Sequence, residues 1–281
     1  MAQRVLIGVD GSAASAAALS WGLDYAKHHS ADVTLLQVAD DSFLSDRSAF
    51  ASESQAVSDR ILKWGIDLAR TSGFDGNIEG LAIVGHPVAE FEKLAKDADL
   101  VVLGDHTGSK VGGAFFGSRS VKIAAVSAAP VIVVPEHIIS HPMYVLVGID
   151  GSSGSENALH FAAEEASRRA LPLRAVYAWM PPITPGLEQL WSEELLSAQH
   201  DAAEEALAIA TAGLAERYPD VKIERDVVQA PPIGALLAAG KEAALMVVGS
   251  RGRGGLARFL LGSVSQGVLS EPPCAVAVTR G

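Results

Sequence analysis

The chain has 281 residues, 49% of them hydrophobic and 6% aromatic, with a formal net charge of -11 at pH 7. Such an acidic balance disfavours duplex nucleic acid or an anionic membrane surface as the main partner, because both require a broad basic face. The single cysteine, Cys274, excludes an intrachain disulfide and a thiolate metal cluster, and without an uncharged apolar run of about 18 residues no transmembrane span is expected.

Periodicity then gives the elements in chain order. Arg4–Val9 reads as an apolar strand, cut off at once by Asp10-Gly11-Ser12. That interruption argues against a secretory leader, so a cytoplasmic location is expected. Ala13–His29 predicts an alanine-rich helix, Asp32–Val38 a strand, Glu53–Thr71 a helix, Ile78–Val84 a strand and Val88–Lys96 a helix. Leu100–Gly104 predicts a fourth strand, followed by a loop, a helix over Ser118–Ser127 and a strand over Val131–Val134. The intervening Asp40–Ser52 reads as a loop acting as a lid or an interaction surface. Short strands alternating with helices predict an α/β unit whose five-stranded parallel sheet is covered on both faces, and ligands of such folds sit outside the carboxyl ends of the strands. Asp10 and Gly104 both lie at such ends. His28-His29 reads as a surface pair favoured by the dipole at a helix end. His86, His106 and His160 have no metal-ligating spacing, so no metal site is expected. Cys274, just before the last apolar strand, reads as a small core residue.

After His137–Met143, where Pro135, Ser140 and Pro142 break the periodicity, the pattern begins again. Val145-Leu146-Val147-Gly148-Ile149-Asp150-Gly151-Ser152 repeats Val5-Leu6-Ile7-Gly8-Val9-Asp10-Gly11-Ser12. Leu245-Met246-Val247-Val248-Gly249 repeats Leu100–Gly104, and Gly262-Ser263 repeats Gly117-Ser118, both at a slightly larger offset. The chain is a tandem duplication, with domains expected at 1–138 and 142–281. The second copy carries extra residues in its middle, near the proline-rich Met180–Pro185 loop or the long helix after it. Trp179 and Trp191 flank that loop, where packing or the cover of a bound base would each suit them.

The most informative stretch follows Val248. Gly249-Ser250-Arg251-Gly252-Arg253-Gly254-Gly255 leads, through Arg258, to Gly262-Ser263 and an expected helix. Backbone without side chains can approach a ligand closely, and a helix N-terminus presents unpaired N–H groups and the positive end of its dipole. Phosphate suits that environment. Arg251, Arg253 and Arg258 add a local cationic cluster on an acidic chain, as an anion site would need. Asp150 and Asp10 are candidate ligand contacts, although an aspartate at a strand-to-helix turn can equally cap the helix.

These residues resemble the universal stress protein family in its tandem two-domain form. Its nucleotide signature G-x2-G-x9-G-[S/T] is matched by Gly249, Gly252, Gly262 and Ser263, and the likeness extends to G-[VI]-D-G-S after the first strand and to the turn Val84-Gly85-His86-Pro87. The resemblance implies two tandem Rossmann-like domains of the adenine nucleotide alpha hydrolase-like kind, each with strand order 3-2-1-4-5. It implies ATP as ligand, with Mg2+ as a candidate companion, and pairing of the units through their last strands as an internal pseudo-dimer; a homodimer is a further candidate. It would put Asp150 and Gly151 near the ribose or adenine and the Ala178 backbone against the adenine. Gly249, Gly252, Gly262 and Ser263 would then surround the phosphates, with the Val264 N–H and the Ser265 hydroxyl, while Arg251 and Arg253 are phosphate contacts suggested by the loop's own charge.

Asp10, Gly11, Val38, Gly104, Gly117 and Ser118 are the first-copy counterparts, with a departure. Thr107 stands where the second signature glycine belongs, and Asp105 adds negative charge where the second copy has Ser250. A weaker or altered first site is expected. The chain has no G-x4-G-K-[ST], no H-R-D loop and no G-x-S-x-G elbow, so no catalytic residue is assigned and at most slow ATP hydrolysis is expected. The leading reading is an ATP-binding protein of stress response or signalling whose nucleotide state alters conformation or the choice of a protein partner still to be identified. A weak ATPase and a nucleotide-free interaction scaffold remain the alternatives.

Overall fold

A computed structural model describes residues 2–41, 47–105, 119–137, 139, 141–181, 192–252 and 261–280. The chain forms two compact units, Met1–Ile138 with Leu269–Ala277, and Ile139–Val268 with Val278–Gly281.

The first unit contains strands β1 (Arg4–Gly8), β2 (Asp32–Asp40), β3 (Ile78–Gly85), β4 (Leu100–Gly104) and β5 (Val131–Val134). Its helices are α1 (Ala13–His29), α2 (Arg47–Thr71), α3 (Pro87–Leu94) and α4 (Arg119–Val126). The strands are parallel and lie in the order β3-β2-β1-β4-β5. Consecutive residues Val5, Leu6 and Ile7 of β1 are all buried, so both faces of the central strand are covered and the apolar run need not alternate. The strand order reverses at β1, between β2 and β4, and such a switch point opens a crevice at their carboxyl ends.

The second copy of the sequence repeats this plan. It contains β6 (Tyr144–Gly148), α5 (Ser153–Arg169), β7 (Leu173–Trp179), α6 (Glu193–Ala210), α7 (Leu214–Arg217) and β8 (Ile223–Gln229). Then come α8 (Pro232–Gly240), β9 (Ala243–Gly249), α9 (Ser263–Ser270) and β10 (Ala275–Thr279). The order is β8-β7-β6-β9, all parallel. The Ser250 N–H donates to the Thr279 carbonyl at 2.8 Å, as the Asp105 N–H donates to the Val134 carbonyl at 2.8 Å in the first unit. Both copies thus follow the 3-2-1-4-5 order of an α/β fold.

Several local expectations change. Helix α2 begins at Arg47, so much of the stretch expected as a lid loop is helical. Gly73 and Gly213 both have φ 79 and sit after the matching helices α2 and α6, which puts the second copy's extra residues beyond Gly213, where the short α7 forms. His28 keeps its exposed place, bonding the Asp24 carbonyl through Nδ1 at 2.8 Å. His29 does not, because helical spacing sets it over Tyr25, with ring centroids 4.1 Å apart. Cys274 is buried, as a core residue should be.

Glycine is forced where β4 leaves the sheet, since a Cβ on Gly104 would lie 2.6 Å from the backbone C and O of Ala14. Gly104→Ala is expected to lower stability by about 1–3 kcal/mol through overpacking against rigid backbone. By contrast, a Cβ on Gly73 meets nothing within 4 Å, so Gly73→Ala carries only about 1 kcal/mol of left-handed strain. Urea unfolding of the two full-length variants checks the ranking, and equal or reversed midpoint shifts would reject it.

Candidate functional site

In the second unit, four segments meet at the carboxyl edge of the sheet. The first is the turn after β6. Asp150 Oδ1 accepts the Ser152 N–H at 3.0 Å and the Ser152 hydroxyl at 2.6 Å, while Gly151 supplies the positive φ of 79° that the turn requires. Ser152, not Asp150, is the N-cap of α5: its hydroxyl oxygen accepts the Ser155 N–H at 3.3 Å. The aspartate orients the cap from two residues upstream, leaving Oδ2 for another role. The first unit has the same turn: Asp10 Oδ1 accepts the Ser12 N–H at 2.9 Å and Ser12 caps α1. Capping by aspartate was one of the two readings open at both positions, and the serine takes that role in each.

The second segment is the exit of β9. A Cβ on Gly249 would lie 2.7 Å from the backbone C of Gly154, and a Cβ on Gly154 would lie 2.7 Å from the Arg251 carbonyl oxygen. The strand exit and the start of α5 are therefore in backbone-to-backbone contact. A Cβ on Gly252 would lie only 2.3 Å from Asp150 Oδ2. A side chain is therefore excluded at Gly249, Gly154 and Gly252, and the Asp150 carboxylate faces the loop glycine.

The third segment is the start of α9. The Gly262 N–H donates to the Ser250 carbonyl at 2.8 Å, so the strand exit and the start of α9 are tied together. The buried Ser265 hydroxyl lies 3.1 Å from the Ser250 carbonyl and 3.0 Å from the Gly262 carbonyl, and fixes the first turn of α9 to the same point. Ser263 and Val264 open that turn, where helix geometry leaves N–H groups without intrahelical acceptors. Gly262 has room: its Cβ would come no closer than 3.4 Å, to the Arg251 Cα.

The fourth segment is the end of β7. The Ile149 N–H donates to the Val176 carbonyl at 2.9 Å, which sets Ala178, half-buried and paired with Val228, at the same edge beyond Asp150. Trp179 beside it packs at a tilt on His200 of α6, centroids 6.4 Å apart, and its buried Nε1 has no hydrogen-bond partner among the described residues. Arg253, Trp191 and the remainder of both signature loops, including Thr107, Gly117 and Ser118, lie outside the described residues.

The first unit keeps the frame and changes the edge. Gly104 packs on Ala14 as Gly249 packs on Gly154, and the buried Ser120 hydroxyl donates to the Gly104 carbonyl at 2.8 Å. Val38 precedes the end of β2 and pairs with Ile83. Two residues on, Asp40 Oδ2 accepts a hydrogen bond from Arg119 Nη2 at 2.7 Å. Arg119 follows Gly117-Ser118 and Asp40 ends β2, so this ion pair crosses the mouth of the first crevice. The matching residues of the second copy are Val264 and Met180. Sequence reasoning missed the pair because neither residue belongs to the motif.

It also missed Arg280. The Arg280 carbonyl accepts a hydrogen bond from Asn157 Nδ2 at 2.9 Å, and burial first, then the charge of Arg251, hold its pKa below the ordinary arginine value. The signal was available: Arg280 follows the last strand at the same edge as Asp150 and Gly249. Among the described residues, no group of three or more His, Cys, Asp or Glu side chains is arranged to hold a metal ion. No helix among them is long and apolar enough to cross a membrane.

The Universal stress protein family model matches residues 1–135 and again residues 143–280. A universal stress protein of Mycolicibacterium smegmatis is 35% identical over 292 residues, spanning 98% of this chain and 96% of that protein. One from Mycobacterium tuberculosis is 35% identical over 291 residues, with 98% and 96% covered. Among solved structures, a universal stress protein from Archaeoglobus fulgidus superposes with a TM-score of 0.72 at 22% identity, covering 99% of this chain and 98% of that one. That last likeness concerns the fold.

Removal of the hydroxyl that ties the loop to α9 should loosen the edge without unfolding the unit. Ser265→Ala leaves the Ser250 carbonyl with one donor fewer, and a stability loss of about 1–2 kcal/mol is expected. Thermal unfolding checks the loss. Unchanged stability would mean that the Gly262 N–H alone holds the loop ends together.

Proposed function

Since this chain belongs to the universal stress protein family, we propose that it binds ATP in the crevice of its second copy and acts in stress response or signalling through nucleotide-dependent conformation or partner choice. The observation that carries the reading is the approach of main chain without side chains at the strand exit: a Cβ on Gly249 would fall 2.7 Å from the Gly154 backbone and one on Gly252 2.3 Å from Asp150 Oδ2, while one on Gly262, at the start of α9, would come no closer than 3.4 Å to its neighbours. A phosphate chain needs such an approach, because backbone N–H groups and a helix N-terminus can bind it only when no side chain intervenes.

In this reading Ser263, Val264 and Ser265 offer backbone N–H groups to the phosphates, the Ser265 hydroxyl expected there being held instead by the Ser250 and Gly262 carbonyls, and Arg251 and Arg253 offset their charge. Asp150 would accept from the ribose hydroxyls while its other oxygen keeps the turn in place, and the Ala178 backbone would meet the adenine edge. Mg2+ would be carried largely by phosphate oxygens. No residue is assigned to activate a water or a nucleophile, which suits a nucleotide sensor better than a fast hydrolase.

The two copies are unequal in this reading. The second crevice meets the nucleotide with uncharged Val264 and Met180, where the first has the Arg119–Asp40 ion pair 2.7 Å long across its mouth. A nucleotide entering the first site would have to displace that pair or accommodate Asp40 near its own negative charge. A difference of about 1.4 kcal/mol separates the affinities tenfold, enough to resolve two steps by titration calorimetry at fixed Mg2+ and salt. Gly262→Val should abolish the tighter step with circular dichroism unchanged, and Gly117→Val should spare it. If Gly262→Val keeps the tighter step, the phosphates lie elsewhere. If purified protein releases no nucleotide and shows no thermal shift with ATP, the chain is a nucleotide-free scaffold.

A further inference from the structure

The strand-end cation Arg280, outside the glycine signature, and the loop cation Arg251, between its first two glycines, leave adjacent backbone in the second unit. Arg280 is held at two points. It follows Thr279, whose carbonyl accepts the Ser250 N–H at 2.8 Å, and its own carbonyl accepts from Asn157 Nδ2 at 2.9 Å. Arg251 is held by the close approach of its carbonyl to Gly154 and of its Cα to Gly262. Both guanidinium groups therefore start from fixed backbone beside the first turn of α9.

We propose that Arg280 and Arg251 form a two-arginine clamp for the terminal phosphates of the nucleotide, making the second copy selective for di- and triphosphates over the nucleoside. The proposal rests on the ATP reading given above. Two like charges brought together in a partly buried place raise each other's energy, and an anion between them reverses the sign of that interaction. The lowered pKa of Arg280, caused by burial and then by Arg251, fits this poised state. Guanidinium groups suit phosphate because their fork of N–H donors matches two oxygens at once.

The first copy provides the control. Pro135 stands where the second copy has Arg280, and Ala17 where it has Asn157. The strand and helix are the same there, with the Asp105 N–H on the Val134 carbonyl at 2.8 Å, so the fold does not require this arginine. The cation and the asparagine that holds its backbone are both present in the second copy and both missing from the first, at the edge where the signature glycines converge.

The test is calorimetry on the full chain with ATP, ADP, adenosine and inorganic pyrophosphate, comparing the wild type with Arg280→Gln, Arg280→Lys and Arg251→Gln. Arg280→Gln should weaken ATP and ADP binding about tenfold or more, as loss of a charge-assisted hydrogen bond does, and leave adenosine unaffected. Arg280→Lys should fall between, since it keeps the charge and loses the fork. Equal ATP affinity in the wild type and in folded Arg280→Gln overturns the clamp while leaving the ATP reading intact. If the glutamine variant fails to fold, Arg280→Lys and Arg251→Gln decide, and unchanged ATP affinity in both overturns the clamp. If the wild type binds no nucleotide, the ATP reading fails, and pyrophosphate then decides the anion site alone: binding weakened by Arg280→Gln supports it, and no binding overturns it.

Discussion

The approach of one backbone to another at the exit of the fourth strand of each copy governs the rest of the architecture. Gly104 meets the first turn of α1 and Gly249 that of α5 so closely that a Cβ would fall 2.6 Å and 2.7 Å from the opposing main chain. A parallel sheet covered on both faces leaves its polar groups at the strand ends. Closing the fourth strand onto the first helix there lines the crevice with main chain. The hydroxyls of Ser120 and Ser265 then pin the last helix of each copy to the strand exit. Glycine, hydroxyl and helix start together make a frame suited to an anion.

Much of this was legible in the chain because its causes are local. Apolar runs between glycine and serine turns marked the strands, and the repeated V-D-G-S and I-D-G-S segments placed Asp10 and Asp150 at equivalent turns. What was hidden depends on distant residues meeting. Aspartate and serine at a strand-to-helix turn can each cap, and only the geometry assigns the cap to Ser12 and Ser152 and an orienting role to the aspartates. His29 looked like a surface residue until Tyr25 was seen beneath it. The Arg119–Asp40 pair joins residues far apart in sequence and carries no motif.

Duplication lets the two copies be read against each other. On the helix that follows the first strand, Trp21, Tyr25 and His29 form an aromatic stack in copy one. In copy two, Glu165 takes the place of Tyr25 and is held by Arg168 and Arg169 at 2.9 Å and 3.1 Å. A buried carboxylate that accepts from two guanidinium groups and a buried aromatic stack are different solutions to covering the same helix end. Neither alters the sheet order, so the frame tolerates exchange of apolar for ionic contacts away from the crevice.

Changes at the crevice mouth differ in kind, because they alter what the site presents to a ligand. In copy one, a carboxylate at the end of β2 is paired with a cation at the start of α4, and the two charges largely satisfy each other. In copy two, both positions are uncharged, and cations instead enter from the loop at Arg251 and from the last strand at Arg280. The same frame therefore has charge compensated within the protein in one copy and cations gathered beside the helix start in the other. Because the backbone contacts at Gly104 and Gly249 are alike, the divergence cannot be assigned to folding requirements. On the reading proposed above, it acts on the affinity of the crevice for an anion and makes the second copy the better receptor, while the first keeps the architecture of a site.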